Sequence, residues 1–210
     1  MCNETRRRIA LGQIREDWGQ TRIPLRFPED LPNLAPLDSI RITDPNAIIR
    51  ACAAEPGSAE LGEQRAPGSS LVAELVVRRW SWPGPTGKPV YNYRSEGRDL
   101  ARGRCLIVAD GFYEFTAPAD PRAKRKDKWL FTKADEDWFC IAGLWRATAE
   151  VGEAYALLTT EPGPDVAPYH SRQIVVLERR DWGRWLDPRV PAGEVLKPLP
   201  AGSFRIEPVG

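Results

Sequence analysis

Twenty prolines and seventeen glycines are spread along the whole of this 210-residue chain. Proline breaks a helix interior and glycine weakens it, so punctuation this dense excludes long helices over most of the sequence. Between the breakers lie short runs rich in Val, Ile, Trp and Tyr, at residues 71–80, 104–109, 129–132, 138–145, 155–160 and 173–177, preceded by the alternating segment 39–43. Runs of that length and composition, bounded by turn residues, predict strands. Two helices are expected, over residues 4–18, where Leu11, Ile14 and Trp18 share a face, and over residues 179–186. Residues 22–38 read as irregular and 55–69 as a surface loop. Helices do not alternate with strands, which argues against a doubly wound sheet. The expectation is an α+β fold, one domain over residues 1–210, with a mainly antiparallel, curved or barrel-like sheet and a few short helices.

Composition narrows the function classes. Apolar and aromatic residues make up 42% of the chain, enough for a real core. With 30 basic and 29 acidic side chains, the net charge of +1 provides no general attraction to a polyanion. Any affinity for nucleic acid must come from local clustering. No run of about eighteen apolar residues is present, so no membrane-spanning helix is expected. The start, MCNETRRRIALGQ, has arginines with no apolar stretch behind them, so no secretory signal is expected and the cytoplasm is the expected location.

Four cysteines, Cys2, Cys52, Cys105 and Cys140, are scattered with no C-x-x-C pair, and His170 is the single histidine. That pattern argues against a metal site and against a disulfide framework. Cys105 and Cys140 sit in apolar runs and read as small buried hydrophobes. Cys2 has no such context. An initiator methionine before a small residue is commonly removed, which would leave a thiol and a free α-amine on adjacent carbons. Their ordinary pKa values, about 8.5 and about 7.7–8.0, keep both partly nucleophilic near neutrality. An aldehyde can condense with that amine to an imine, which the thiol then closes to a thiazolidine. Position alone does not separate this chemistry from an incidental cysteine.

Other candidates each have an ordinary alternative. His170, in PYHSR, carries the only imidazole and is otherwise a hydrogen-bonded loop residue, with Arg172 able to share its face. Glu114, among Phe112, Tyr113 and Phe115, would be a general acid or base if desolvated, and an edge-strand surface residue if not. In YNYRSEG, Asn92 can orient a reactant and Arg94 can clamp a phosphate, or Arg94 can simply pair with Glu96. Arg78, Arg79, Trp80 and Trp82 interleave cations with stacking surfaces, as single-strand binders do. The charged run at 121–128 reads as a solvated hairpin tip.

Taken in order, MCN, VVRRWSWPGP, VYNYRSEG, RCLIVADGFYEF and PYHSRQIVVL resemble the motifs of the SOS-response-associated peptidase (SRAP) family, and FCIAGLW and YALLTTEP resemble its core strands. The resemblance covers nearly the whole chain. It implies a DNA damage-response protein that senses abasic sites in single-stranded DNA and forms a thiazolidine crosslink through Cys2, acting once or reversing slowly. It implies that Asn92, Glu114 and His170 complete the active site, and that Arg94, Trp80, Phe115, Arg172 and Arg79 contact DNA. Glu114 would help open the sugar ring, His170 would protonate the departing hydroxyl, and Asn92 would orient the amine. No cofactor, metal or membrane is implied, and a monomer associated with the nucleoid during damage is expected. Self-processing, from which the family takes the word peptidase, would here concern Met1 alone. Ser81, Val108, Phe115 and Gln173-Ile174 depart from the family's Gly, Pro, Trp and Met-Pro. Two other readings compete: a Cys–His thiol hydrolase with no DNA role, and a non-covalent single-strand binder.

Overall fold

The computed structural model describes residues 2–52, 71–118, 120, 122 and 124–209. The loop expected at 55–69 lies outside them. The first elements are β1 (Glu4–Arg7), α1 (Leu11–Gly19), β2 (Leu25–Arg26), β3 (Leu37–Arg41), β4 (Pro45–Cys52) and β5 (Val72–Trp80). There follow β6 (Trp82–Pro83), β7 (Pro89–Val90), β8 (Asn92–Arg94), β9 (Arg104–Ala109), β10 (Gly111–Thr116), β11 (Asp127–Lys133), β12 (Phe139–Thr148) and β13 (Gly152–Thr160). The chain finishes with β14 (Gln173–Ile174), β15 (Val176–Leu177), α2 (Arg179–Leu186), α3 (Ala192–Val195) and β16 (Phe204–Pro208).

Strands β5, β4, β9, β12 and β13 form a closed ring, because β13 pairs β12 on one side and returns to β5 on the other. Every contact in the ring is antiparallel except β13 with β5, which is parallel through Ala154↔Arg79 and Tyr155↔Trp80. Closure leaves these strands no free edge. A second, antiparallel sheet runs in the order β16-β11-β10-β1-β3. The fold is thus the α+β, barrel-like arrangement of short strands and few helices that the breakers demanded.

The ring strands are buried on both faces, so they read as continuous apolar runs rather than alternating ones. Along β9, Leu106 and Val108 enter one core while Cys105, Ile107 and Ala109 enter another. The first core is covered by α1 and α2. Ile14 and Trp18 face it from α1, and Trp182, Trp185 and Leu186 from α2, at the spacing of a helical stripe. Trp18 stacks on Trp182 with ring centroids 5.8 Å apart, and Trp138 meets Trp182 at 4.9 Å. The indole N–H groups are satisfied, Trp185 by the Cys105 carbonyl at 2.9 Å and Trp18 by that of Ile23 at 2.7 Å. The second core joins ring residues to Ile40, Phe112, Phe131 and Phe204 of the second sheet, and Cys2 belongs to it.

Two expectations are corrected, and one strand was not anticipated. Residues 4–18 are not one helix: Glu4–Arg7 is a strand and only Leu11–Gly19 is helical. Glu4, Thr5 and Arg7 are buried and paired to β10 and β3, and these long-range partners outweigh the helical spacing that begins at Leu11. The run at 173–177 is two short strands, β14 against β13 and β15 against β12, with Val175 at the crossing donating to Leu158. The eight-residue strand β4 falls in a stretch with no sequence expectation; its Pro, Asn and Arg mask an apolar centre, Ala47–Ile49. Among the described residues, no helix is long and apolar enough to cross a membrane.

Ser81, where the family resemblance would put glycine, follows Trp80 with φ at +84° while buried and donating its N–H to the Tyr155 carbonyl at 2.7 Å. A side chain in that left-handed region costs about 1–2 kcal/mol, part of which glycine returns as lost chain entropy. Ser81→Gly should therefore raise stability by about 1 kcal/mol, a rise in Tm of about 2–4 °C for a chain of this size. Thermal melts check it; a lower Tm would show that the serine side chain contributes more than its backbone costs.

Candidate active site

Strand β1 carries the chain's first residues into the interior. It pairs with β10 through Thr5↔Phe112 and Arg6↔Gly111, and carrying that register two residues further sets Asn3 level with Glu114. Asp110 turns the chain after the strand: its carboxylate accepts from Arg6 Nε at 2.5 Å, from the Arg8 amide, and from the Ile9 amide at 3.1 Å. A side chain at Gly111 would lie 2.8 Å from Leu130 Cδ1 and 3.3 Å from the Phe131 carbonyl, both on β11, so the glycine suits the close packing of β10 on β11. Glu4 fixes the other side, accepting from Ser39 Oγ at 2.6 Å and Lys128 Nζ at 2.8 Å.

Cys2 is held at that buried end, 1% exposed, with its thiol on the Glu4 carbonyl at 3.3 Å. Burial, then the nearby Glu114 carboxylate, raises the thiol pKa, so the sulfur rests as a neutral thiol. Asn92, on β8 and held parallel to β13 beside Leu157, donates Nδ2 to the Cys2 carbonyl at 2.7 Å. Its Oδ1 is buried with no hydrogen-bond partner.

Glu114 is the fourth residue of β10, opposite Trp129. Alternation puts it on the same face as Phe112, toward the core. It is 1% exposed, so its edge-strand alternative does not hold. Burial raises its carboxyl pKa to about 7, opposed by a hydrogen bond from the Cys2 backbone. Tyr113 and Phe115 alternate to the other face, where Lys128 Nζ lies 3.8 Å from the Tyr113 ring and 5.8 Å from that of Phe115.

His170 ends a turn in which its N–H bonds to the Val166 carbonyl at 3.0 Å. Its Nδ1 accepts the Arg172 backbone N–H at 3.0 Å. Burial lowers the imidazole pKa, assisted by the charge of Lys126. Tyr169 packs edge-on against Trp129 at 5.0 Å, joining the histidine turn to the strand that faces Glu114. The structure therefore brings Asn92 and Glu114 each into contact with Cys2, and packs the His170 turn through Tyr169 onto Trp129, the residue opposite Glu114.

The expected DNA contacts fare unevenly. Arg94 is exposed on β8. Glu96, its alternative partner, is held instead by Arg172, whose NH1 and NH2 reach the two carboxylate oxygens at 2.7 and 2.8 Å. Arg172 thus meets His170 through its backbone rather than by a shared side-chain face. Trp80 is fully buried, stacked on Tyr155 at 6.3 Å and bonded to the Tyr91 carbonyl, so it presents no stacking surface. Arg78 is tied to Glu29 and Glu153. Arg79 is half-buried with Nε lacking a partner.

The end of the charged run at 121–128, expected to be a solvated hairpin tip, lines a cleft instead. A cleft of about 1130 Å³ is lined by Asn3, Phe115, Arg125, Lys126, Lys128 and Trp129 among others, and begins at the residue after Cys2. The available signal was that the run returns directly into a strand led by Lys128 and Trp129. Among the described residues, no cluster of three or more His, Cys, Asp or Glu side chains is placed to hold a metal.

The raised Glu114 pKa has a stability consequence. A carboxyl whose folded pKa exceeds its ordinary 4.5 favours the folded state most below 4.5, and that contribution is lost as pH rises through about 7. Glu114→Gln should remove this component, so wild type should lose Tm relative to the variant between about pH 4.5 and 7. Parallel melts across that range test it; parallel curves would mean that the carboxyl titrates normally.

Comparison with known proteins gives a consistent result. The family model for SOS response associated peptidase (SRAP) matches residues 88–210, more than half of the chain. The Bacillus subtilis proteins named abasic site processing protein YoqW and YoaM are each 27% identical, over 136 and 139 residues. Those matches span 59% of this chain and 59% of each relative. A crystal structure of a Bordetella bronchiseptica protein superposes with a TM-score of 0.70 at 22% identity, covering all of both chains. One of a Bacteroides thetaiotaomicron protein gives 0.72 at 15% identity, covering 100% of this chain and 92% of that one. The chain belongs to the SRAP family.

Proposed function

We propose that this protein captures abasic sites in single-stranded DNA by forming a thiazolidine between Cys2, as the residue exposed by removal of Met1, and the open aldehyde of the abasic sugar. The observation that carries the reading is the contact of Cys2 with both Asn92 and Glu114; a cleft with basic and aromatic lining begins one residue further on, at Asn3. The names of the Bacillus relatives, abasic site processing proteins, point the same way.

The abasic deoxyribose is in equilibrium between a closed ring and an open aldehyde. The Cys2 amine adds to the aldehyde carbon to form a carbinolamine; its hydroxyl takes a proton and leaves as water while the nitrogen gives up a proton, leaving an imine. The thiol sulfur then bonds to the imine carbon while its proton passes to the nitrogen. Aldehyde and aminothiol become thiazolidine and one water. A carboxyl with a pKa of about 7 is populated in both forms near neutrality, so Glu114 suits both proton transfers. Asn92 fixes the Cys2 carbonyl and with it the direction of the amine. His170 assists departure of the sugar hydroxyl. Holding the reactants in contact supplies much of the rate. The raised thiol pKa disfavours a resting thiolate, which a thiol hydrolase needs for its first bond, whereas here the amine makes the first bond and the thiol attacks only as it gives up its proton.

The deciding experiment is a denaturing gel of the protein mixed with single-stranded DNA carrying one abasic site. A stable shifted band is expected, absent for Cys2→Ala and retained for Cys52→Ala, with intact mass showing Met1 absent. Glu114→Gln should slow the band's appearance by about 10²–10⁴. A normal band from protein that keeps Met1 would rule out the thiazolidine.

The cleft and Arg94 are proposed to hold the strand on either side of the lesion, by phosphate contacts from Arg125, Lys126 and Arg94 and stacking on Phe115. Each lost phosphate contact should flatten the logarithmic salt dependence of single-strand binding by about 0.7. Arg94→Ala and the double variant Arg125→Ala/Lys126→Ala should show this in binding titrations. An unchanged slope in either removes that contact from the path.

A further inference from the structure

We propose that the Cys2 site also captures free, short hydroxyaldehydes, which close on the same aminothiol and shut the protein off from DNA. The reacting groups and the strand-holding groups are separate. Cys2 is held by the Glu4 carbonyl and by Asn92, with Glu114 beside it. The strand is assigned to Arg94, Arg125, Lys126 and Phe115, and the two sets share no residue. An aldehyde therefore needs neither phosphate nor base to meet the groups that react with it. The inference rests on the thiazolidine chemistry proposed above and not on the DNA.

Selection for a hydroxyl comes from Asn92. Its Nδ2 donates to the Cys2 carbonyl at 2.7 Å, and its Oδ1 is buried with no hydrogen-bond partner. The amide is not free to turn over, because a carbonyl only accepts and the flipped group would set two oxygens together. Its strand is fixed as well. Strand β8 runs parallel to β13 with Asn92 beside Leu157, and the Leu157 N–H donates to the Tyr91 carbonyl at 3.0 Å. A buried acceptor without a donor is unfavourable. A reactant bonded to the Cys2 amine and carrying a hydroxyl close to its carbonyl carbon supplies that donor, whereas a plain alkyl aldehyde does not. Size is limited from the other side. The thiol is 1% exposed in the second core, among residues that include Ile40 and Phe112, so only a short chain brings its carbonyl carbon to the sulfur.

Glycolaldehyde is the probe. Its carbonyl carbon gains one bond to nitrogen and one to sulfur and loses its oxygen as water, so no oxidant or reductant is involved. The product is protein plus aldehyde less one water. Glycolaldehyde and acetaldehyde, equal in carbon number, are offered to wild type that has lost Met1 and to the free peptide CNETR, which has the same aminothiol without the fold. Intact mass follows both. The rate on the protein relative to that on the peptide should be about tenfold larger for glycolaldehyde than for acetaldehyde, the effect of about one hydrogen bond. Cys2→Ala should take up neither. Glu114→Gln should slow both probes alike, since proton transfer does not read the hydroxyl. Protein capped by glycolaldehyde should give no band with abasic DNA, and methoxyamine, which removes the aldehyde as an oxime and returns the aminothiol, should restore the band. Equal relative rates for the two probes, or an adduct that forms as fast on Cys2→Ala, overturn the proposal. A protein that crosslinks abasic DNA and takes up neither aldehyde overturns it too, and leaves the DNA reaction standing. Selective capture of glycolaldehyde by a protein that forms no crosslink would defeat the DNA reaction and leave this one standing.

Discussion

The pairing of β1 with β10 is the constraint on which the site depends. The residue that would carry the nucleophile lies at the start of the chain, where a backbone is ordinarily least ordered. Here the strand is locked in register against Phe112 and Gly111, stopped by the Asp110 carboxylate, and held from its other edge by β3. Glu114 lies on the strand that holds Cys2 in place. The partner of the pairing and the partner in chemistry are therefore the same element. Little flexibility stands between the fold and the relative placement of the two groups.

The ring of strands accounts for the other half of the site. Its parallel closure of β13 onto β5 leaves room beside β13 for β8 to add in the same direction, and β8 carries Asn92 and Arg94. Trp80 sits at the closing point, stacked on Tyr155. An aromatic residue flanked by arginines looks, in one dimension, like a surface for bases. In three dimensions it seals the ring, and its neighbour Arg78 is spent on Glu29 and Glu153.

What could be read from the residues follows from where their stabilisation comes from. Strand β9 and helix α2 were legible with their bounds, because a buried apolar run and a stripe of two tryptophans and a leucine carry their own pattern. The strand Glu4–Arg7 was not, because nothing in ETRR is apolar; it is a strand only through Asn46, Ser39, Lys128 and the backbone of β10. The grouping of Cys2, Asn92, Glu114 and His170 came from the ordered motifs, not from spacing, since residues 90 apart in sequence meet through a hydrogen bond. The cleft beside Phe115 was hidden for a related reason. A charged run reads as solvated until the wall that faces it is known. A chain with a net charge of +1 can still concentrate Arg125, Lys126 and Lys128 at one opening.

The buried ends of Glu4 and Arg7 carry a consequence for how this terminus moves. The Arg7 guanidinium donates to Asn46 Oδ1 at 2.9 Å and to the carbonyls of Leu34 and Ala35 at 3.3 and 3.1 Å, while Glu4 is 5% exposed. Peeling the strand away would remove several partners at once, leaving the Leu34 and Ala35 carbonyls without the guanidinium and Asn46 Oδ1 with the Ala47 N–H alone. Partial fraying is therefore worse than either extreme. The amide protons of residues 4–7 should exchange with solvent only when the whole molecule opens, which makes the first strand of the chain part of its slowest-exchanging unit rather than its loosest.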